Sequence, residues 1–315
     1  MGTRSGIELY MLKVWKEKER YRGKVEDCLT AIITTKGCAW RKCYMCGYWT
    51  EARDLSDKAL EEQFEKIFQK LEDFRILKVF TSGSFLDERE ISAELRRKLV
   101  DRLKEHGVKK LIIESRPEFI EKKKLEDFKG LELEVGIGLE TANDLLRENC
   151  INKGFSFSDF LRSAEILRSM GFRVKCYLIL KPPFLSEKEA IQDLLESAEK
   201  VKAYADLISI NLMNIQKGTL VERLWERGIY RPPWLWSALE VLNKIQTEVI
   251  CDPVAGGKLR GPHNCGRCDK EVVSAIKLFS LTQDKNLLDL SCDCKKVWLK
   301  ALELENYSRV PLFYT

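Results

Sequence analysis

No stretch of this sequence approaches the roughly 20 consecutive apolar residues of a membrane-spanning helix. Nor does its charged, aromatic start have the form of a secretion signal. The chain is therefore expected to be intracellular and cytoplasmic, with no membrane partner. Charge of one sign is also lacking: 54 basic against 49 acidic residues leave a net +5, which permits a nucleic-acid partner without demanding one. Cysteine is plentiful, at 11 residues, but it lacks the spread of a disulfide framework. It falls in short-spaced groups, which in an intracellular protein point to metal. With 315 residues, 44% of them hydrophobic, the chain can bury one large domain or a medium domain plus a small one.

The densest group is Cys38, Cys43 and Cys46, spaced C-x4-C-x2-C within Lys36 to Trp49. It follows Thr30 to Thr35, an apolar, β-branched run that reads as a buried strand. The thiols thus stand on a loop at a strand's C-terminal end, where open α/β sheets and barrels place their chemistry. Structural zinc and a 2Fe-2S cluster both need a fourth ligand, and no cysteine follows Cys46 until Cys150. A cubane cluster on three thiolates needs none and leaves one iron open. Three cysteines packed as small hydrophobes is the remaining reading, but Arg41, Lys42 and Gly47 do not make a core strand.

This loop resembles that of radical S-adenosylmethionine (SAM) enzymes, whose usual spacing is C-x3-C-x-aromatic-C. The first gap is one residue longer here, and Met45 stands where an aromatic is common. The resemblance implies a 4Fe-4S cluster on Cys38, Cys43 and Cys46 with SAM at its open iron.

Along the chain, Glu8 to Lys24 mixes Leu9, Met11, Leu12, Val14 and Trp15 with six bases and reads as a basic amphipathic helix. Strands are expected at Thr30 to Thr35, Ile76 to Phe80, Lys110 to Glu114, Leu133 to Leu139, Val174 to Leu180 and Leu207 to Leu212. Between most of them lie helical patterns, one N-capped by Ser56, one ended by Gly107, and one opened by a Ser186/Glu189 capping box. Six strands alternating with helices define an α/β chain with a parallel sheet. The resemblance implies a partial (βα)6 barrel over residues 25 to 215, after an N-terminal segment 1 to 24 and before a C-terminal region 216 to 315.

Polar residues cluster at the strand ends. Ser82-Gly83-Ser84 follows the second strand, where the family binds the amino group of SAM. Glu140 ends the fourth, where the resemblance implies a contact to the SAM ribose, and Glu114 ends the third. Tyr48, Lys153 and Asn211 are grouped with these as cofactor-binding candidates, and Lys181 as pocket wall.

Past residue 215, Trp225, Tyr230, Trp234 and Trp236 lie among arginines. They read as a small core in preference to a base-stacking surface. Cys265-x2-Cys268 with Cys292-x-Cys294 is a four-thiolate zinc candidate, with Cys251 and His263 as alternative ligands. The glycine-rich loop around Lys258 and Arg260 reads either as a phosphate cradle or as a shaper of that site.

Segments Gly37-Cys38 to Cys46-Gly47-Tyr48 and Arg260-Gly261-Pro262-His263-Asn264-Cys265 resemble the archaeosine-forming radical SAM family. The resemblance implies hydrogen abstraction from a lysine adduct on a 7-deazaguanine base of the tRNA D-arm, followed by C-N cleavage. It implies as partners tRNA, the archaeosine synthase that makes the adduct, and an electron donor. Two alternatives stay open: an elongator-type radical SAM tRNA-modifying enzyme, and a zinc-containing RNA-binding protein without catalysis.

Overall fold

The structure, a computed structural model, describes residues 12–71 and 73–311. They form two compact units. One comprises residues up to Ala39 with Tyr48–Ile137 and Arg162–Val174; the other comprises Trp40–Gly47, Gly138–Leu161 and Lys175 onward.

In the first unit, β1 (Lys13–Tyr21) pairs antiparallel with β2 (Lys24–Ile32). Then β3 (Ile76–Phe80), β4 (Lys110–Glu114) and the part of β5 (Glu132–Glu140) up to Ile137 add in parallel, in chain order. Helices α1 (Asp57–Phe68) and α2 (Ala93–Glu105) are capped by Ser56 and Ser92 and bury one face each. In the second unit, Lys175 to Leu180 of β6 (Arg173–Leu180) pairs in parallel with β7 (Leu207–Leu212), which pairs with β8 (Val249–Asp252). The further helices are α3 (Phe157–Ser169), α4 (Glu187–Val201), α5 (Leu220–Glu226), α6 (Leu235–Lys244), α7 (Asp269–Thr282) and α8 (Cys294–Ser308). The Ser186/Glu189 capping box opens α4 as its spacing predicts.

The N-terminal expectation is corrected. Residues 8 to 11 lie outside the described part, and 13 to 24 are no helix but a hairpin. Arg22 and Gly23 both take positive φ, at 50° and 76°, the requirement of a two-residue type I′ turn. What decides the strand is distant pairing. Lys78 of β3 is buried and holds Glu17 at 2.7 Å and Glu19 at 2.6 Å. Burial alone would lower the Lys78 pKa, but Glu19 and its neighbours outweigh it and the ammonium is held charged. The strand β8, which carries Cys251, was not expected either, because four residues are too short for an alternation signal.

Candidate active site

The cysteine loop is held at both ends. In the first unit, Ile33 N–H donates to the Phe80 carbonyl at 2.9 Å, and the Gln63 amide brackets Thr34. Gly37 has φ 70°, and a Cβ there would stand 2.7 Å from the Ala52 Cβ, so no other residue fits. Cys38 N–H donates to the Ser82 carbonyl at 3.0 Å, which fastens the first cysteine to the predicted SAM turn.

In the second unit, Arg41 takes φ 53°, so the extra residue of the first gap is absorbed in a left-handed turn. The Trp40 indole donates to the Asn152 carbonyl at 2.6 Å, Asn152 Nδ2 donates to the Lys42 carbonyl at 3.0 Å, and Gly154 leaves room for the Trp40 ring. Tyr44 N–H donates to Ile151 at 2.9 Å and Gly47 N–H to Gln216 at 2.6 Å. Met45 is buried with Ile151, Ile179, Met213, Ile215, Val221 and Tyr230. A flexible thioether therefore fills the core at the position where the family often has an aromatic ring. Ile151 closes a π turn, Arg147–Ile151, anchored by the buried Arg147 on the Thr141 carbonyl at 2.6 Å and the Phe155 carbonyl at 2.8 Å. Burial pulls the Arg147 pKa down to about 10.

All three thiols are half-buried, and no disulfide joins any of the eleven cysteines. The donors of the loop are cysteine sulfurs with no carboxylate or imidazole between them, a soft set that suits iron-sulfur ligation. The residues present therefore fit a cluster.

Ser84 is buried, its N–H on the Glu90 carboxylate at 2.6 Å and its Oγ accepting from Arg116 N–H at 3.1 Å. Burial raises the Glu90 pKa despite its hydrogen bonds from Thr35 and Ser84. At the end of β5, Glu140 is 7% exposed and takes φ 69°, a conformation a glutamate adopts only where its surroundings enforce it. Its carboxylate meets Lys153 Nζ at 2.6 Å, so two separately predicted residues form one ion pair. A Cβ at Gly138 would press on both, at 2.8 and 2.9 Å. The next residue, Thr141, donates to Asp193 of α4 at 2.8 Å, and Ser197 accepts from Ala142 N–H at 2.9 Å. Burial lifts the Asp193 carboxyl to about 6. Asn211 is half-buried on β7 in register with Ile179 and Asp252, and Tyr48 is exposed on a 3-10 turn.

Lys181 ends β6 with φ 64°. It is buried and paired with Glu187 at 2.6 Å and Glu305 at 3.6 Å, and it lines a cavity of about 250 Å³ with Tyr230, Arg231 and Arg309. Tyr230, Trp234 and Trp236 are buried, as the core reading expects. Arg260 is spent on the Ile215 carbonyl, on Glu222 at 2.5 Å and on the Trp225 ring, so the glycine-rich loop packs against α5.

The C-terminal thiols converge. Cys265 and Cys268 stand at the start of α7, Cys292 and Cys294 at the start of α8, and all four sulfurs lie within 4.8 Å of one another. The spacings Cys265–Cys268, Cys265–Cys292 and Cys268–Cys294 are 3.9, 3.9 and 3.7 Å. A tetrahedron with metal-sulfur bonds of ~2.3 Å has edges of ~3.8 Å. Trp236 Nε1–H points at Cys294 Sγ at 3.2 Å and Asn264 Nδ2–H at Cys268 Sγ at 3.4 Å. The predicted alternatives lie elsewhere. Cys251 is buried in β8, where burial pushes its thiol well above the usual range. His263 Nδ1 sits 2.7 Å from the Gly261 carbonyl.

The fold and the loop define a class: residues 32–198 match the radical SAM superfamily, and the chain belongs to it. That membership implies a 4Fe-4S cluster and SAM. Within the superfamily the chain belongs with the beta subunits of archaeosine synthase. It is 43% identical to that of Methanosarcina acetivorans, covering 93% of this chain and 90% of the relative. It is 41% identical to that of Thermococcus kodakarensis, covering 90% and 94%. Queuine lyase from Clostridium spiroforme, bound to SAM and queuine, shares the fold at 23% identity and TM-score 0.51, over 67% of this chain and 88% of that one. Among the described residues no helix is long and apolar enough to cross a membrane.

Proposed function

We propose that this chain is the radical SAM subunit that forms archaeosine in tRNA, cleaving a C-N bond in the lysine adduct of a 7-deazaguanine base of the D-arm. The identity with two archaeosine synthase beta subunits along 90% and 94% of their lengths supports this most directly. In this reading Cys38, Cys43 and Cys46 hold the 4Fe-4S cluster. Ser82-Gly83-Ser84 receives the amino group of SAM and Glu140 the ribose, with Tyr48, Lys153 and Asn211 completing the cofactor site. When bound, the cluster and SAM would, given an electron from an external donor, supply radical hydrogen-abstraction chemistry at the adduct.

What the chain contributes is placement. Buried Met45 and the Gly37 turn hold the cysteines, and the Glu140–Lys153 pair presents a carboxylate whose charge is already balanced. The site must exclude water from a radical, and a base inside folded tRNA must be turned outward to reach it. A companion enzyme that makes the adduct and an electron donor complete the reaction. The four C-terminal thiolates we assign to one zinc ion, since their spacing suits ligands sharing a single metal.

The test is anaerobic reconstitution with iron and sulfide, then addition of reductant, SAM and adduct-bearing tRNA. Formation of 5′-deoxyadenosine and archaeosine together, both lost in Cys43→Ala, is expected. SAM cleavage that survives this change overturns the cluster assignment.

A further inference from the structure

Glu90 lies in the loop between β3 and α2, is 2% exposed, and belongs to no predicted motif. A carboxylate removed from water needs partners, and it has them. The Thr35 hydroxyl donates to Oε2 at 2.5 Å, and Ser84 N–H donates to Oε1 at 2.6 Å. Thr35 Oγ1 in turn accepts Gly37 N–H at 3.1 Å, and Cys38 N–H donates to the Ser82 carbonyl at 3.0 Å. The result is a closed ring: Glu90, Thr35, Gly37, Cys38, Ser82, Gly83, Ser84 and back to Glu90. Gly83 lies within it, and a Cβ there would overlap the Glu90 carboxylate and stand 2.5 Å from Cys38 N.

We propose that Glu90 is a positioning residue that fixes the spacing between Cys38 and the Ser82-Gly83-Ser84 turn. Its bearing on SAM rests on the assignment of that turn to the cofactor. The hold on Cys38 stands without it. Both carboxylate oxygens accept here. Ser84 N–H can only donate, so an amide at position 90 must turn its oxygen to Ser84 and its NH2 to Thr35 Oγ1, which reverses that hydrogen bond and leaves the Thr35 hydroxyl proton without its acceptor. Glu90→Gln thus keeps the volume but replaces a charge-assisted edge of the ring with a reversed, neutral one.

Two readouts test this. In iron-free protein, iodoacetamide labelling of Cys38, followed by peptide mass spectrometry, is expected to rise about tenfold in Glu90→Gln, the exchange of a hydrogen bond to a charged group for one to a neutral amide, with Cys43 unchanged. In reconstituted protein the variant keeps its iron, but the SAM-induced change in the electron paramagnetic resonance spectrum requires about tenfold more SAM. Thr35→Val removes the shared oxygen, cutting both the Glu90–Thr35 and the Thr35–Gly37 edges, and carries the test should Glu90→Gln not fold. The double variant should be no worse than Thr35→Val alone. Glu88→Gln, in the same loop but half-exposed, should match the parent. Labelling of Cys38 at the parental rate in both single variants overturns the proposal. A parent protein with no SAM-induced spectral change overturns the SAM assignment instead, and labelling still decides the role of Glu90.

Discussion

Lys153 Nζ lies 2.6 Å from Glu140 Oε1, with the two side chains 14% and 8% exposed. The pair ties the segment after the π turn to the end of β5 and gives the buried carboxylate a cationic partner. Lys153→Met removes one partner of a buried pair and strands the other, so it should destabilise the protein by about 3 kcal/mol. It should also weaken SAM binding, as should Glu140→Gln, which strands the Lys153 ammonium in turn at a comparable stability cost. Denaturant unfolding and calorimetric titration of the reconstituted protein separate the two effects.

Much of the fold was readable because its signals are local. β3, β4 and β7 match their predicted bounds, and the caps Ser56 and Ser186 fall where their spacing puts them. The N-terminal hairpin was not readable, since Glu17 and Glu19 declare themselves only once Lys78 of a distant strand is buried against them. The site divides in the same way. Cysteine spacing marks both sulfur groups, but the joining of Glu140 to Lys153 and the ring through Glu90 depend on backbone turns that leave no periodic trace. Glu90 could have been flagged only as one acid among several near a serine-glycine turn.

Asp193 sets a pH dependence. Its carboxyl rises from 3.8 to about 6 through burial, against the Thr141 hydrogen bond that lowers it. The raised value means that the folded state keeps a proton the unfolded state has already lost. Stability is thus fully retained below pH 4 and declines as pH rises through about 6, by at most about 3 kcal/mol. Asp193→Asn removes this term, so its melting temperature relative to the parent should climb between pH 4 and pH 7. A difference that stays flat over that range would mean that Asp193 is ionised in the fold at low pH.

The four C-terminal thiols predict one equivalent of zinc per chain in protein purified without added iron. Cys294→Ser should lose it and should melt well below the parent, because a metal held there would join the starts of α7 and α8. Elemental analysis beside thermal unfolding measures both. Retention of zinc in that variant would contradict the assignment.

The most direct test of the central claim is isotopic. Adduct-bearing tRNA made with fully deuterated lysine is turned over anaerobically with SAM and reductant, and the 5′-deoxyadenosine is analysed by mass spectrometry. The account predicts one deuterium in the nucleoside and archaeosine formed in step with it. Archaeosine appearing with no deuterium transferred would contradict hydrogen abstraction from the lysine moiety as the start of the reaction.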